Sequence, residues 1–274
     1  MGLMGGSVVR SLGRLEPRPT LLGCSSELTE VERAREAGVV DQAFLDPEEV
    51  IGAASVVVFA VPLGALPPLL ERHAGALAEK ELVTDVAGLK APVLRAARSA
   101  GVEEVFVGGH PMAGSEASGF SASRADLLDG ARVWLSADGA GPTVRRRAQE
   151  FWRSVGGDPE WIEAGEHDRA MAWCSHLPQL VSNALAGGLD AAGFRPTDLG
   201  PGGRDMVRLA GSSPELWRDL LERSAPEVGL GLESVSRALR TLADLLARRD
   251  LDAVSGFMER TRDWRAGGGG EEWS

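Results

Sequence analysis

His110 stands in the run Gly108-Gly109-His110-Pro111-Met112-Ala113-Gly114-Ser115-Glu116, directly after an apolar stretch, Val105 to Gly108, that reads as a buried strand. In a parallel α/β sheet ligands bind beyond the carboxyl ends of the strands, so an imidazole there faces the crevice and can take a proton near neutral pH. The competing reading is a loop histidine in a turn rich in glycine and proline. Gly2-Leu3-Met4-Gly5-Gly6-Ser7, running into Val8 to Leu12, offers a second kind of chemistry. Glycines let a backbone approach a phosphate closely, and the N–H groups that open a helix favour negative charge. Here the competing reading is a flexible N-terminal segment, because no strand precedes the turn and half of the G-x-G-x-x-G pattern has no residue to occupy it.

The elements around these residues favour a nucleotide site. Leu21 to Cys24 is a short apolar run, Glu27 to Ala37 a helical stretch closed by Gly38, and Ala54 to Val61 a buried strand ended by Pro62. A helix near Leu66 to Leu77, a strand at Glu81 to Asp85, a helix near Ala91 to Ser99 and the strand before His110 continue the βαβ rhythm. Arg132 to Ser136, Thr143 to Val155 and Glu160 to Glu163 add a strand, a helix and a last strand. The expectation is an α/β fold: a Rossmann-like, doubly wound parallel sheet over residues 1–164 that lacks its first strand and so keeps an unpaired slot. Gly2, Leu3, Met4 and Gly5 are then the expected pyrophosphate cradle. Val61 and Pro62 are further expected cofactor contacts. Ser25 stands where an acidic residue would accept the ribose hydroxyls of NAD, which keeps NADP open, although Glu27 could still reach a ribose; NAD is the weakly favoured reading.

After Gly165 the strands stop. Asp168 to Gly187, Pro214 to Ser224, Val228 to Arg248 and Ala253 to Trp264 carry helical patterns, giving an all-α second domain over 165–266. The four glycines and Glu-Glu-Trp-Ser that follow, 267–274, read as a disordered tail. A net charge of -11 argues against a nucleic-acid partner. No apolar run reaches the roughly 18 residues of a membrane span, and no secretory leader pattern opens the chain. Cys24 and Cys174 have no metal-ligand spacing, so no metal is expected, and a reducing cytoplasm and a small-molecule substrate are the default.

His-Pro-Met-Ala-Gly-Ser-Glu (110–116) resembles the active-site segment of the prephenate and arogenate (cyclohexadienyl) dehydrogenase family. Four more segments resemble that family in order: Asp85-Val86-Ala87-Gly88-Leu89-Lys90; His167-Asp168 with Ser175-His176-Leu177-Pro178-Gln179; Arg204-Asp205-Met206-Val207-Arg208-Leu209-Ala210; and Ser213-Pro214-Glu215-Leu216-Trp217. The resemblance implies an NAD(P)-dependent oxidative decarboxylation of prephenate in tyrosine biosynthesis, with arogenate as the alternative substrate. It makes His110 the base and Arg208 the guanidinium that holds a substrate carboxylate. His176, Gln179, Glu116 and Gly88 are the other implied substrate-site positions. His176 reads equally as a core histidine, Glu116 as an exposed loop carboxylate, and His167-Asp168 as a helix-start pair.

Two positions depart from the family pattern. Gly88 replaces a serine that bonds both the base and the substrate hydroxyl, and Gln179 replaces a histidine. The family also implies a homodimer formed through the helical domain, for which Leu232, Val235, Leu239, Leu242 and Leu246 give an apolar face that a core within one chain would equally explain. The reading from a different class is a non-catalytic nucleotide-binding relative, favoured by the missing strand, Gly88 and Ser25 and opposed by His110 and Arg208. A dehydrogenase of small 3-hydroxy acids is disfavoured, because its lysine base belongs in the helical domain and the last lysine here is Lys90.

Overall fold

The computed structural model describes residues 1–114, 117 and 119–267, leaving aside the side chains of 215 and 216. Glu116 and the tail expected from 268 onward lie outside the described residues. The chain divides into two compact units, Met1–Ala225 and Pro226–Ser274.

In the first unit α1 (Leu3–Leu12), β1 (Leu22–Cys24), α2 (Leu28–Glu36), β2 (Gln42–Phe44), α3 (Pro47–Ala53) and β3 (Val56–Phe59) follow in order. Then come α4 (Leu66–Arg72), α5 (Ala74–Ala78), β4 (Leu82–Asp85), α6 (Ala91–Ser99), β5 (Phe106–Pro111), β6 (Arg132–Ser136), α7 (Pro142–Ser154) and β7 (Asp158–Trp161). The strands form a five-stranded sheet, β3-β4-β5-β6-β7, and a separate parallel pair, β1-β2. Among the described residues nothing pairs with the second edge of β1 or of β3, as expected of a doubly wound order without its first strand. The start of the chain lies between those edges: Met1 Sδ is 3.2 Å from where a side-chain carbon on Gly23 would stand, and Gly5 meets Ala60.

One expectation is corrected. The sheet is mixed rather than wholly parallel, because β6 runs antiparallel to β5. Parallel neighbours need a crossover, usually helical, whereas the link from Pro111 to Arg132 contains, among its described residues, only a 3-10 turn at Phe120–Ala122. A second consequence reaches the site. β5 continues through His110 and Pro111, which pair with Trp134 and Val133, so the histidine sits on a strand and not on the loop after it.

Apolar side chains fill both faces. Leu66, Leu70, Leu77, Leu89, Val93 and Phe106 belong to one cluster, and Val8, Leu82, Val107, Leu135 and Trp152 to another. The helical run begins with α8 (Ala164–Met171), passes through a π-helical turn (Ala172–His176) into α9 (Leu177–Ala191), and continues with α10 (Pro201–Val207), a 3-10 turn (Arg208–Gly211), α11 (Pro214–Ala247) and α12 (Leu251–Arg265). The expected break between Ser224 and Val228 does not occur: α11 carries Pro226 inside it. In the second unit Leu239 and Leu246 are 61% and 56% exposed, while Leu232, Val235 and Leu242 of the same face are half-buried. No helix among the described residues is long and apolar enough to cross a membrane.

Candidate active site

The ends of β4 and β5 build the floor of the site. Gly108 and Gly109 are glycines for a steric reason: a side-chain carbon on Gly109 would stand 2.8 Å from the Asp85 carbonyl oxygen and from the Trp152 ring, and one on Gly108 would stand 3.2 Å from the Lys90 stem. Beneath them Asp85 and Lys90 are wholly buried and form an ion pair at 2.7 Å. Asp85 accepts from the N–H groups of Ala87 (2.8 Å) and Gly109 (3.0 Å), and Lys90 Nζ donates to the Gly109 carbonyl at 2.5 Å. Burial pushes the Asp85 carboxyl up and the Lys90 ammonium down, and each opposes the shift of the other.

His110 stands directly above this pair. Its Nδ1 lies 2.9 Å from Nε2 of His167, with the rings edge to face at 5.1 Å. Its Nε2 lies 3.9 Å from where a side-chain carbon on Gly88 would be, and Leu220 closes the same space at 3.2 Å. Burial, then the positive charge of Lys90 and the neighbouring His167 and His176, hold the His110 pKa well below 6.5. The imidazole is therefore neutral at pH 7, the state a base requires.

His167 and Asp168, expected as a helix-start pair, lie within α8, whose N-cap is Glu163. Asp168 accepts from the backbone N–H of Lys90 (2.6 Å) and of Ala91 (2.9 Å), and Nδ1 of the fully buried His167 is 2.8 Å from it. Sequence reading passed over this pair because its partners are remote: His110 is 57 residues away and Lys90 is 78. The signal available was the adjacent His-Asp itself, which the family-like segments already include.

His176 is buried on the π-helical turn, with Nδ1 2.9 Å from Ser224 Oγ and its ring against Trp217. Burial lowers its pKa, against the pull of Asp168. Gln179 is also buried, and its amide is occupied within the protein: Nε2 donates to Asn183 Oδ1 (2.8 Å) and to the Leu209 carbonyl (2.7 Å), and Oε1 accepts from Ser212 at 3.3 Å. Gln179 thus has a scaffolding role. With Ser182, which donates to the Met206 carbonyl and accepts from the Ala210 N–H, it fastens the turn that carries the exposed Arg208.

The cofactor positions form a second group. Gly2 caps α1 without a side-chain bond, and the first intrahelical bond is Gly6 N to Gly2 O, so the N–H groups of Leu3, Met4 and Gly5 open outward. No acidic residue occupies the first turn, and nothing stands within 4 Å of a side-chain carbon on Gly2. Gly5 lets α1 approach the end of β3, where a side-chain carbon would already be 3.1 Å from Ala60. Val61 and Pro62 follow directly. This cradle suits a pyrophosphate. Ser25, after β1, accepts from the Glu27 N–H at 3.2 Å and keeps its own O–H to donate. Among the described residues no group of three or more His, Cys, Asp or Glu could hold a metal ion.

A dinucleotide-binding sheet joined to a helical region, with a neutral histidine where strand ends meet helices, defines an α/β oxidoreductase architecture. The family can be named. Residues 8–159 match the model of the prephenate dehydrogenase nucleotide-binding domain, and residues 163–260 that of the prephenate dehydrogenase dimerization domain. The chain belongs to the prephenate dehydrogenase family. It is 28% identical to a cyclohexadienyl dehydrogenase of Zymomonas mobilis, over 92% of this chain and 88% of that one, and 29% identical to a prephenate dehydrogenase of Lactococcus lactis, over 97% and 75%. The crystal structure of prephenate dehydrogenase from A. aeolicus, in complex with hydroxyphenyl propionate and NAD+, superposes with a TM-score of 0.88 at 25% identity, covering 97% of this chain and 94% of that one.

Proposed function

We propose that this chain is an NAD-dependent dehydrogenase that oxidatively decarboxylates prephenate to 4-hydroxyphenylpyruvate, with His110 as the base. The observation that carries this reading is His110 itself: neutral, fixed on a strand, with one nitrogen engaged by His167 and the other beside Gly88. Nε2 takes the proton of the ring hydroxyl. As the carboxylate bonded to the opposite ring carbon leaves as carbon dioxide, its bonding electrons complete the aromatic ring, and the phenol oxygen takes the proton back. NAD, when bound, supplies the acceptor for the hydride lost by the hydroxyl-bearing carbon. Leu3, Met4 and Gly5 would hold its pyrophosphate through their N–H groups, with Gly2, Ser25, Val61 and Pro62 lining the rest. Arg208, on the turn fastened by Gln179 and Ser182, receives a substrate carboxylate; a planar guanidinium binds both of its oxygens.

Residues 1–164 serve the cofactor and 165–266 the substrate and the dimer, an assignment supported by the two family-model matches at 8–159 and 163–260. The exposed Leu239 and Leu246 support pairing of two copies through the helical region.

The test follows reduced-cofactor absorbance with prephenate and with arogenate, each with NAD and NADP. Turnover of prephenate with NAD that His110→Asn abolishes is the expected result. Turnover of arogenate alone moves the substrate to the alanyl side chain, and turnover of neither overturns the reading.

A further inference from the structure

Asp168, His167 and His110 form an unbroken line of hydrogen bonds, and we infer that this line dictates which nitrogen of His110 is basic, making His167 and Asp168 positioning residues for proton removal. The inference rests on His110 being the base of the proposed reaction.

The argument is one of donors and acceptors. Asp168 already accepts two backbone N–H groups, from Lys90 and Ala91, and a carboxylate has no proton to give. The proton in its 2.8 Å contact with His167 therefore belongs to Nδ1 of His167. A neutral imidazole carries one N–H, so Nε2 of His167 is a lone pair and can only accept. Its partner at 2.9 Å, Nδ1 of His110, must then be the donor. That leaves the lone pair of His110 on Nε2, the nitrogen that faces Gly88. The reversed arrangement needs His167 doubly protonated at full burial, and it would put the proton of His110 on the reacting nitrogen.

The charged and titratable groups around His110 agree with this assignment. Lys90 is paired to Asp85 and bonded to the carbonyl of the preceding Gly109, and His176 lies on the π-helical turn that follows α8. Asp168 is the carboxylate connected to His110 through bonded groups, so the positive charge that arises on His110 during proton removal is opposed across His167. The line also supplies what Gly88 lacks. Without a hydroxyl at that position to orient the imidazole, its opposite edge does so. Capping of α6 by Asp168 explains the contacts to Lys90 and Ala91, but it leaves unexplained why a fully buried histidine bridges that carboxylate to His110.

The test reads the tautomer directly and without substrate. The full chain, labelled with 15N in its four histidines, is examined by long-range proton–nitrogen NMR near neutral pH, with the His110 signals assigned by their loss in His110→Gln. The wild type is expected to show His110 protonated at Nδ1 and unprotonated at Nε2. His167→Leu and Asp168→Asn are expected to give a mixture of the two tautomers and to lower kcat about ten- to a hundredfold, with KM changing less than about threefold. His167→Gln, whose amide oxygen can accept from His110 while its NH2 donates to Asp168, is expected to restore the tautomer and most of the rate. His110 protonated at Nε2 in the wild type overturns the inference whether or not the variants fold, and so does an unchanged tautomer in both folded variants. A chain with the stated tautomer that leaves prephenate untouched sinks the reaction and spares the line, whereas an active chain with the other tautomer does the reverse.

Discussion

Asp85 and Lys90 hold the two backbone polar groups of one residue, Gly109. The carboxylate accepts the N–H of Gly109 and the ammonium donates to its carbonyl, 3.0 Å and 2.5 Å away, so the residue immediately before His110 is clamped by a buried ion pair. Lys90→Met would leave Asp85 buried and unpaired, at a cost of about 3–5 kcal/mol. It would also remove the second-largest influence that lowers the His110 pKa, after burial. The expected result is a large fall in denaturation midpoint together with an acid limb of kcat/KM moved to higher pH; an unmoved limb in a folded variant would show that the clamp acts on stability alone.

Because His110 is held well below 6.5, kcat/KM for prephenate should be flat from neutral pH upward and fall only in acid, with a midpoint below that of a free histidine. The sign for stability is the same. Between the lowered native value and 6.5 the unfolded chain binds the extra proton, so folding stability is intact above 6.5 and declines as pH drops through that window. Paired pH profiles of rate and of urea midpoint check both; a rate midpoint at or above 6.5 contradicts the electrostatics of the site.

Gly88→Ser places a hydroxyl within reach of His110 Nε2, since the side-chain carbon would stand 3.9 Å from it. The same carbon meets a Leu220 methyl at 3.2 Å, which must yield by a few tenths of an ångström. A hydrogen bond of about 1 kcal/mol realised in the transition state corresponds to roughly a fivefold gain in kcat, and Gly88→Val, with bulk and no hydroxyl, should lose activity. Steady-state kinetics of the pair separates the two effects; equal losses would mean that Leu220 cannot move.

Gln179→Leu removes the side-chain donor to the Leu209 carbonyl, which keeps only the Ser212 N–H, a loss of about 0.5–1.5 kcal/mol, and loosens the turn that bears Arg208. The expected outcome is a raised KM for prephenate with kcat lowered much less. A variant whose KM is unchanged would separate the turn from substrate binding.

Leu239→Glu combined with Leu246→Glu should convert a dimer to a monomer in analytical ultracentrifugation, because both leucines are exposed in the single chain. A wild type that sediments as a monomer would remove the reason for that face.

The long elements were legible in the sequence because hydrophobic period and punctuation agree there. α6 and α7 follow the expected limits within a residue or two, and Gly38 takes the left-handed backbone, φ +64°, expected of a helix stop. β2 and α3 escaped notice. Each has seven residues or fewer, too short for periodicity to register, and the cap of α3, Asp46 accepting from Glu48 N, shows only in the structure. Pro226 read as a break because proline removes an N–H, yet α11 passes through it. His110 and the glycine cradle stood out by residue type and position, whereas Gly88 and Arg208 were marked only by the resemblance to the family. What no local pattern carried was the pairing of distant groups: His167 with His110, Gln179 with the carbonyl of Leu209, and the antiparallel partner that turns the loop around His110 into strand.

The π-helical turn at Ala172–His176 has an angular consequence. His167 and His176 are nine residues apart, and at about 100° per residue an uninterrupted α-helix would set them roughly 180° apart, on opposite sides of the rod. A π-turn absorbs one residue without advancing the α-helical phase, which brings the difference to about 80°. Both imidazoles can then be felt by His110. Removing one residue from this turn would leave the phase of α9 intact while straightening the rod, whereas the same deletion a turn later would rotate every following side chain, Gln179 and Ser182 among them, away from the carbonyls they hold.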